Sequence, residues 1–264
     1  MRIGLPGIAA WLPTAAIALS VMSATFAEAA AATPDIIERV KPSIVSIGTF
    51  QKTRSPAFSF RGTGFVVGDG TLVATNAHVL PESLQTDKGE ALLVLVAVPG
   101  GKEPQPREAR RVGEDKDHDV ALLRISGSPL KALALGASGS VREGQTYAFT
   151  GFPIGHVLGF FPVTHRAMIS SINPVVLPSA SARQLNERAI RRIQSGAFSV
   201  FQLDATAYPG NSGSPLYDAE TGDVVGIINM VFVKGTKETA LTQPSGISFA
   251  IPAQHLHELL RNVR

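Results

Sequence analysis

Cysteine is absent from all 264 residues. This excludes disulfide scaffolds, zinc ribbons, thiol nucleophiles and Cys-ligated clusters, so any nucleophile must be oxygen or nitrogen. Charge is sparse as well, at 17% of the chain, with 24 Lys and Arg against 21 Asp and Glu. So slight a basic excess does not make the footprint of a dedicated nucleic-acid binder, and no nucleic-acid partner is expected. After the first thirty residues there is no long apolar run. The whole chain is 44% apolar with 25 Gly and 18 Pro, a composition that excludes a disordered tail, a collagen-like repeat and a coiled coil.

The first thirty residues stand apart. Arg2 precedes an apolar run from Ile8 to Met22, followed by the small residues Ala24, Ala27, Ala29 and Ala30. This is the charged, apolar and small-residue order of a secretory signal, which we assign to residues 1–29 with cleavage near Ala29. The competing reading, an uncleaved anchor, is opposed by Pro6 and Pro13, which break the run. The expected product is a chain of about 235 residues in a bacterial periplasm or outside the cell, with no stable membrane span after cleavage.

From Ile44 onward, short β-rich runs alternate with Gly, Pro and Asp-Gly. Runs at Ile44–Phe50, Gly64–Val67, Thr71–Thr75, Ala91–Val98, Val120–Ile125, Thr146–Thr150, Ala167–Ile172, Val200–Leu203, Val224–Val233 and Ile247–Ile251 read as strands. Asp69-Gly70 fits a tight hairpin turn. About a dozen short strands suggest barrels or a sandwich. Helices are expected at Pro34–Val40 and at the end, where Leu256, Leu259, Leu260 and Val263 recur at helical spacing. The Pro-rich, charged segment Lys102–Arg111 reads as a surface loop, and Arg183–Gln194 as a solvated basic insertion.

Three segments carry polar residues where chemistry could sit. In Thr75-Asn76-Ala77-His78-Val79-Leu80 a strand end presents His78, well placed to aim an imidazole at a cleft. In Asp117-His118-Asp119-Val120-Ala121-Leu122-Leu123 an acid stands at the mouth of a buried strand, although on this segment alone a solvated turn of Asp115, Asp117 and Asp119 is the favoured reading. In Asp204-Ala205-Thr206-Ala207-Tyr208-Pro209-Gly210-Asn211-Ser212-Gly213-Ser214-Pro215-Leu216 a serine is flanked by glycines, which can expose Oγ and let the N–H groups of Gly210 and Ser212 converge on an oxyanion. That local spacing also occurs in Gly136-Ala137-Ser138-Gly139-Ser140, so it is weak alone. The chain order His78, Asp119, Ser212 is that of the chymotrypsin architecture and of neither subtilisin nor the α/β-hydrolases. His255 and His257 are two apart on a helix and face different sides, so they form no metal pair.

The chain resembles a chymotrypsin-fold serine protease of the HtrA/Deg family. The likeness rests on Arg61-Gly62-Thr63-Gly64-Phe65-Val66-Val67, Thr75-Asn76-Ala77-His78-Val79, Asp119-Val120-Ala121-Leu122-Leu123, Gly151-Phe152-Pro153-Ile154-Gly155, Pro209-Gly210-Asn211-Ser212-Gly213 and Gly246-Ile247-Ser248-Phe249-Ala250-Ile251-Pro252. It implies an all-β fold of two packed six-stranded antiparallel β-barrels with a C-terminal helix, the halves falling at residues 30–140 and 141–264. It also implies a triad of His78, Asp119 and Ser212 with an oxyanion hole at Gly210 and Ser212, and a specificity pocket of Thr206, Ala207, Asn229, Met230 and Val231. None of those pocket residues is charged, so cleavage after small or medium aliphatic residues is expected. Protein or peptide substrates are implied, with no metal or other cofactor, and a homo-oligomer, a trimer in this family, built through the N-terminal segment.

Departures from the family pattern are also expected to matter. The sequence stops at Arg264 where a PDZ domain usually follows, so no PDZ-borne sensor is expected. Ser214 and Ser248 stand where glycine is more usual, and the basic segment Arg183–Gln194 is longer than its counterpart. The alternative functions are a latent protease fold acting as a chaperone or binder, and a β-sandwich adhesion module.

Overall fold

The computed structural model describes residues 34–98, 102–175, 198–229 and 246–263. Twelve strands form two closed six-stranded barrels. The first comprises β1 (Ile44–Phe50), β2 (Phe58–Val67), β3 (Leu72–Thr75), β4 (Ala91–Val98), β5 (Lys102–Asp115) and β6 (Val120–Ile125). The second comprises β7 (Thr146–Gly151), β8 (Val163–Val175), β9 (Phe198–Asp204), β10 (Pro215–Asp218), β11 (Val224–Asn229) and β12 (Ile247–Pro252). All strand pairs within the barrels are antiparallel. Residues 34–40 are helical, and a C-terminal helix runs Gln254–Asn262. The expected secretory signal at residues 1–29, Arg183–Gln194, Met230 and Val231 lie outside the described residues.

The near-continuous apolar runs follow from burial on both faces of a strand. In β6, Ala121 and Leu123 point into the first barrel beside Val45, Ile47, Val66 and Val73, while Val120 and Leu122 point out into a second cluster. That cluster joins Ile44, Phe65 and Val67 of the first barrel to Phe152, Tyr217 and Ile227 of the second, with Leu256 and Leu259 of the C-terminal helix. The second barrel has its own interior of Phe149, Ile169, Phe201, Leu203, Leu216 and Ile228. Each such side chain contributes about 1.5–3 kcal/mol on burial, and this stabilises the fold without disulfides.

One segment departs from its sequence reading. Lys102–Arg111 is not a loop but most of β5. Its prolines fall in the half that pairs only with β4, over Lys102–Glu108, whereas β6 pairs with Ala109–Asp115. A strand with one free side tolerates the missing N–H of Pro104 and Pro106, so the Pro-rich composition was a misleading loop signal. The expected turn at Asp69-Gly70 is present: Gly70 has φ 86° and donates to Val67 O, and the Asp69 carboxylate accepts from the N–H and hydroxyl of Thr71.

Candidate active site

His78 lies in a short 3-10 turn, Ala77–Val79, that follows directly on β3. Asp119 is the last residue before β6, the strand paired with β3, so the two strand ends carry the two residues to the same edge of the barrel. The Asp119 carboxylate accepts twice from His78, at Oδ1 from the backbone N–H (2.8 Å) and at Oδ2 from ring Nδ1 (2.6 Å). Its own carbonyl accepts from Ala77 N and from Asn76 Nδ2. These bonds hold Asp119 at a left-handed φ of 52°, a conformation that Asp tolerates better than most residues. With Oδ2 on Nδ1, the opposite ring nitrogen of His78 is left to serve as a base.

Ser212 arrives from the second barrel, in the loop between β9 and β10, and is buried. Strand β2 of the first barrel seats that loop. Thr63 N donates to Ser212 O at 2.9 Å, and Thr63 Oγ1 donates to Gly210 O at 2.7 Å. Gly62 lies where the Ser212 loop and Val79 approach β2: a Cβ there would lie 3.0 Å from Ser212 O and 2.8 Å from a methyl of Val79, the neighbour of His78. Gly213 has φ 87° and abuts Thr63 O, so no side chain fits.

Before the serine, Gly210 has φ 103°, and the Pro209 carbonyl accepts from Ile154 N at 2.7 Å. A trans peptide sets its N–H opposite its C=O, so the Gly210 N–H points away from Ile154. Ile154 itself is left-handed, at φ 49° and ψ 40°, which is strained for a β-branched residue.

The remaining expected positions divide. Thr206 and Ala207 precede the serine, with Ala207 buried. Asn229, read from the resemblance as pocket wall, is fully buried and donates Nδ2 to Asp119 Oδ2 at 2.6 Å. Sequence reasoning missed this contact, because nothing in the run Val224–Asn229 marks its last residue as a partner for a carboxylate 110 positions away. Ser248 donates to Ala205 O at 2.7 Å, which satisfies its hydroxyl within the backbone. Ser138, the serine with the matching local spacing, is held between Val225 O, to which it donates, and Gln254 N, from which it accepts. It fastens the C-terminal helix to β11. Among the described residues no group of three or more His, Asp or Glu side chains could hold a metal, and no helix is long and apolar enough to cross a membrane.

Residues 62–227 match the family model of the trypsin-like peptidase domain. The chain is 32% identical over 233 residues to the mitochondrial serine protease HTRA2 of Bos taurus, covering 86% of this chain and 42% of that protein. It is 30% identical over 208 residues to a probable periplasmic serine endoprotease, DegP-like, of Halomonas elongata, covering 76% and 35%. It thus spans less than half the length of these curated relatives. Among solved structures it is similar to Deg5, with a TM-score of 0.61 at 24% identity, covering 88% of this chain and 93% of that one, and to the HtrA-type protease AlgW with a decapeptide, at 0.62 and 22%, covering 88% and 67%. The match over residues 62–227 shows that the chain belongs to the family of trypsin-like peptidases, and its relatives and its barrel pair are of the HtrA/Deg type.

Proposed function

We propose that this protein is an exported serine endopeptidase that hydrolyses peptide bonds in proteins through His78, Asp119 and Ser212. The observation that carries the reading is the double grip of His78 on the Asp119 carboxylate, at 2.8 and 2.6 Å, on the barrel edge where β2 seats the Ser212 loop. In this mechanism the free ring nitrogen of His78 takes the Ser212 hydroxyl proton as Oγ attacks the carbonyl carbon of the scissile bond. Asp119 fixes the tautomer and stabilises the imidazolium. The N–H groups of Gly210 and Ser212 stabilise the oxyanion of the tetrahedral intermediate, which collapses as His78 returns the proton to the leaving amine. Water, deprotonated by His78, then releases the acyl group and restores Ser212.

The proposed pocket of Thr206, Ala207, Asn229, Met230 and Val231 has no counter-ion for a Lys or Arg side chain, which favours small or medium aliphatic residues before the cleaved bond. Residues 1–29 are proposed as the export signal, with catalytic halves at 30–140 and 141–264, and the periplasm or exterior as the destination. The name of the Halomonas relative is in keeping with that destination. A homotrimer is proposed by family resemblance and is checked by light scattering.

The deciding experiment is labelling of the purified mature chain with a fluorophosphonate, locating the adduct by peptide mass spectrometry. Stoichiometric label on Ser212, abolished by Ser212→Ala, is the expected result. A folded protein that takes no label would mean a latent or inactive fold.

A further inference from the structure

Next to Asp119 is a feature that the catalytic reading does not use. His118 and His255 stack face to face, with ring centroids 3.7 Å apart and planes 13° from parallel. Phe198, at the start of β9, sets its ring edge-on to both, at 5.0 and 5.6 Å. His118 belongs to the turn between β5 and β6 and immediately precedes Asp119. His255 is in the first turn of the C-terminal helix and is only 5% exposed. That helix is anchored to the second barrel, since Ala253 N donates to Val225 O and Gln254 N to Ser138 Oγ. It also packs on β5, where a Cβ at Gly113 would meet Val263 and Leu259. The stack therefore ties the residue before Asp119 to the second barrel, the one that carries Ser212.

We propose that His118 and His255 are positioning residues for Asp119, and that their stack is an acid-sensitive latch that holds while at most one of the two rings carries a proton. This inference rests on the reading of Asp119 as the carboxylate that orients His78. A left-handed Asp needs its flanks fixed, and Val120 does so on one side from the core while the stack does so on the other.

The charged groups around the pair decide where the proton goes. Asp115 accepts from His118 Nδ1 at 2.6 Å and from its backbone N–H, which sets a carboxylate directly against that ring. Facing His255 are His118, Asp115 and Glu258, whose carboxylate lies 3.9 Å from Nδ1. Burial and the neighbouring His118 push the His255 imidazole down to about 4, against weaker upward pulls from Glu258 and Asp115. Two stacked imidazolium rings at 3.7 Å, one of them buried, would repel. In acid the second proton parts the rings and frees the turn that carries Asp119.

The test uses the mature chain with His118→Ala, His118→Phe and His255→Phe, each checked for folding by circular dichroism. Two readouts are followed across pH 4–8: the labelling rate of Ser212 by a fluorophosphonate, and the downfield proton resonance of the His78–Asp119 hydrogen bond. His118→Ala is expected to slow labelling at pH 7.5 about tenfold, and His118→Phe, which keeps a stacking ring, to restore it to within about twofold. His255→Phe is expected to retain the resonance at acid pH where the parent has lost it. Parent and His255→Phe losing the resonance at one pH, or His118→Ala labelling at the parental rate, would overturn the proposal. Should His118→Ala not fold, the His255→Phe comparison decides. A parent that takes no label yet shows the expected resonance pattern would refute the protease reading and keep the positioning role.

Discussion

Asn229 and Asp119 come from different barrels, 110 residues apart, and meet in a 2.6 Å hydrogen bond from Nδ2 to Oδ2. The same oxygen accepts from His78 Nδ1. One buried carboxylate oxygen thus joins the base of the proposed triad to the last residue of β11, so the two barrels are linked at Asp119 by a charge-assisted contact. Removing this donor should leave the fold in place while loosening Asp119. For Asn229→Ala we expect labelling of Ser212 to slow about tenfold to hundredfold, corresponding to about 1.5–3 kcal/mol for a hydrogen bond to a charged group. Labelling at the parental rate would show that the amide does not orient Asp119.

Asp119→Asn preserves shape and tolerance of the left-handed conformation but replaces an acceptor by a donor opposite Nδ1. The imidazole should then present the wrong tautomer to Ser212, with a loss of about 10⁴-fold in the acylation rate. Melting temperatures and labelling rates, measured together, check this: a small change in the first with a large one in the second is the expected pair.

Ser138 and Ser212, both buried, should behave oppositely. Ser138→Ala breaks the bond to Val225 O and strands Gln254 N, at a cost of about 1–3 kcal/mol in denaturant stability, and leaves the label on Ser212. Ser212→Ala removes the label without comparable destabilisation. Label found on Ser138 in the parent would reverse the assignment.

Stability should fall in acid in two windows. Burial lowers the folded-state affinity of His255 for a proton, to a pKa of about 4, and burial acts in the same direction on His165, whose ring stacks on Phe149. The unfolded chain takes up protons near 6.5 that the folded chain refuses, so this stability is complete above about 6.5 and is lost as pH falls towards 4. For His255 the loss is about 1–2 kcal/mol after screening. Asp115 acts in the same direction, in a lower window. Although burial pushes its carboxyl up, hydrogen bonds from His118 hold it below the usual range, so its contribution is present above about 4 and disappears in stronger acid. Thermal melts at pH 7.5, 6 and 5 should decline in the parent and decline less in His255→Phe. Parallel curves would show that His255 is not the group responsible.

Ile154→Gly relieves a β-branched residue at φ 49° while keeping the N–H that binds Pro209 O. We expect a gain of about 1 kcal/mol, or about 2–4 °C in melting temperature. A fall instead would mean that packing of the isoleucine side chain outweighs the backbone strain.

Much of this molecule is written locally. The β-rich run Ala91–Val98, the turn residues Asp69 and Gly70 and the helical spacing of Leu256 and Leu259 each specify an element through interactions within a few residues, and the structure has each of them. The chain order His78, Asp119, Ser212, together with the glycines around the serine, was equally legible, because those residue types at strand ends and in a tight loop serve little structural purpose. Tertiary structure decided the rest. β5 was hidden by Pro104 and Pro106, whose acceptability depends on which half of the strand has a free side. Asn229 gained its partner, and His118 its stacking ring, only when elements more than a hundred residues apart were brought into contact, because a hydrogen bond or a ring contact is a matter of a few ångströms and sequence spacing carries no such distance.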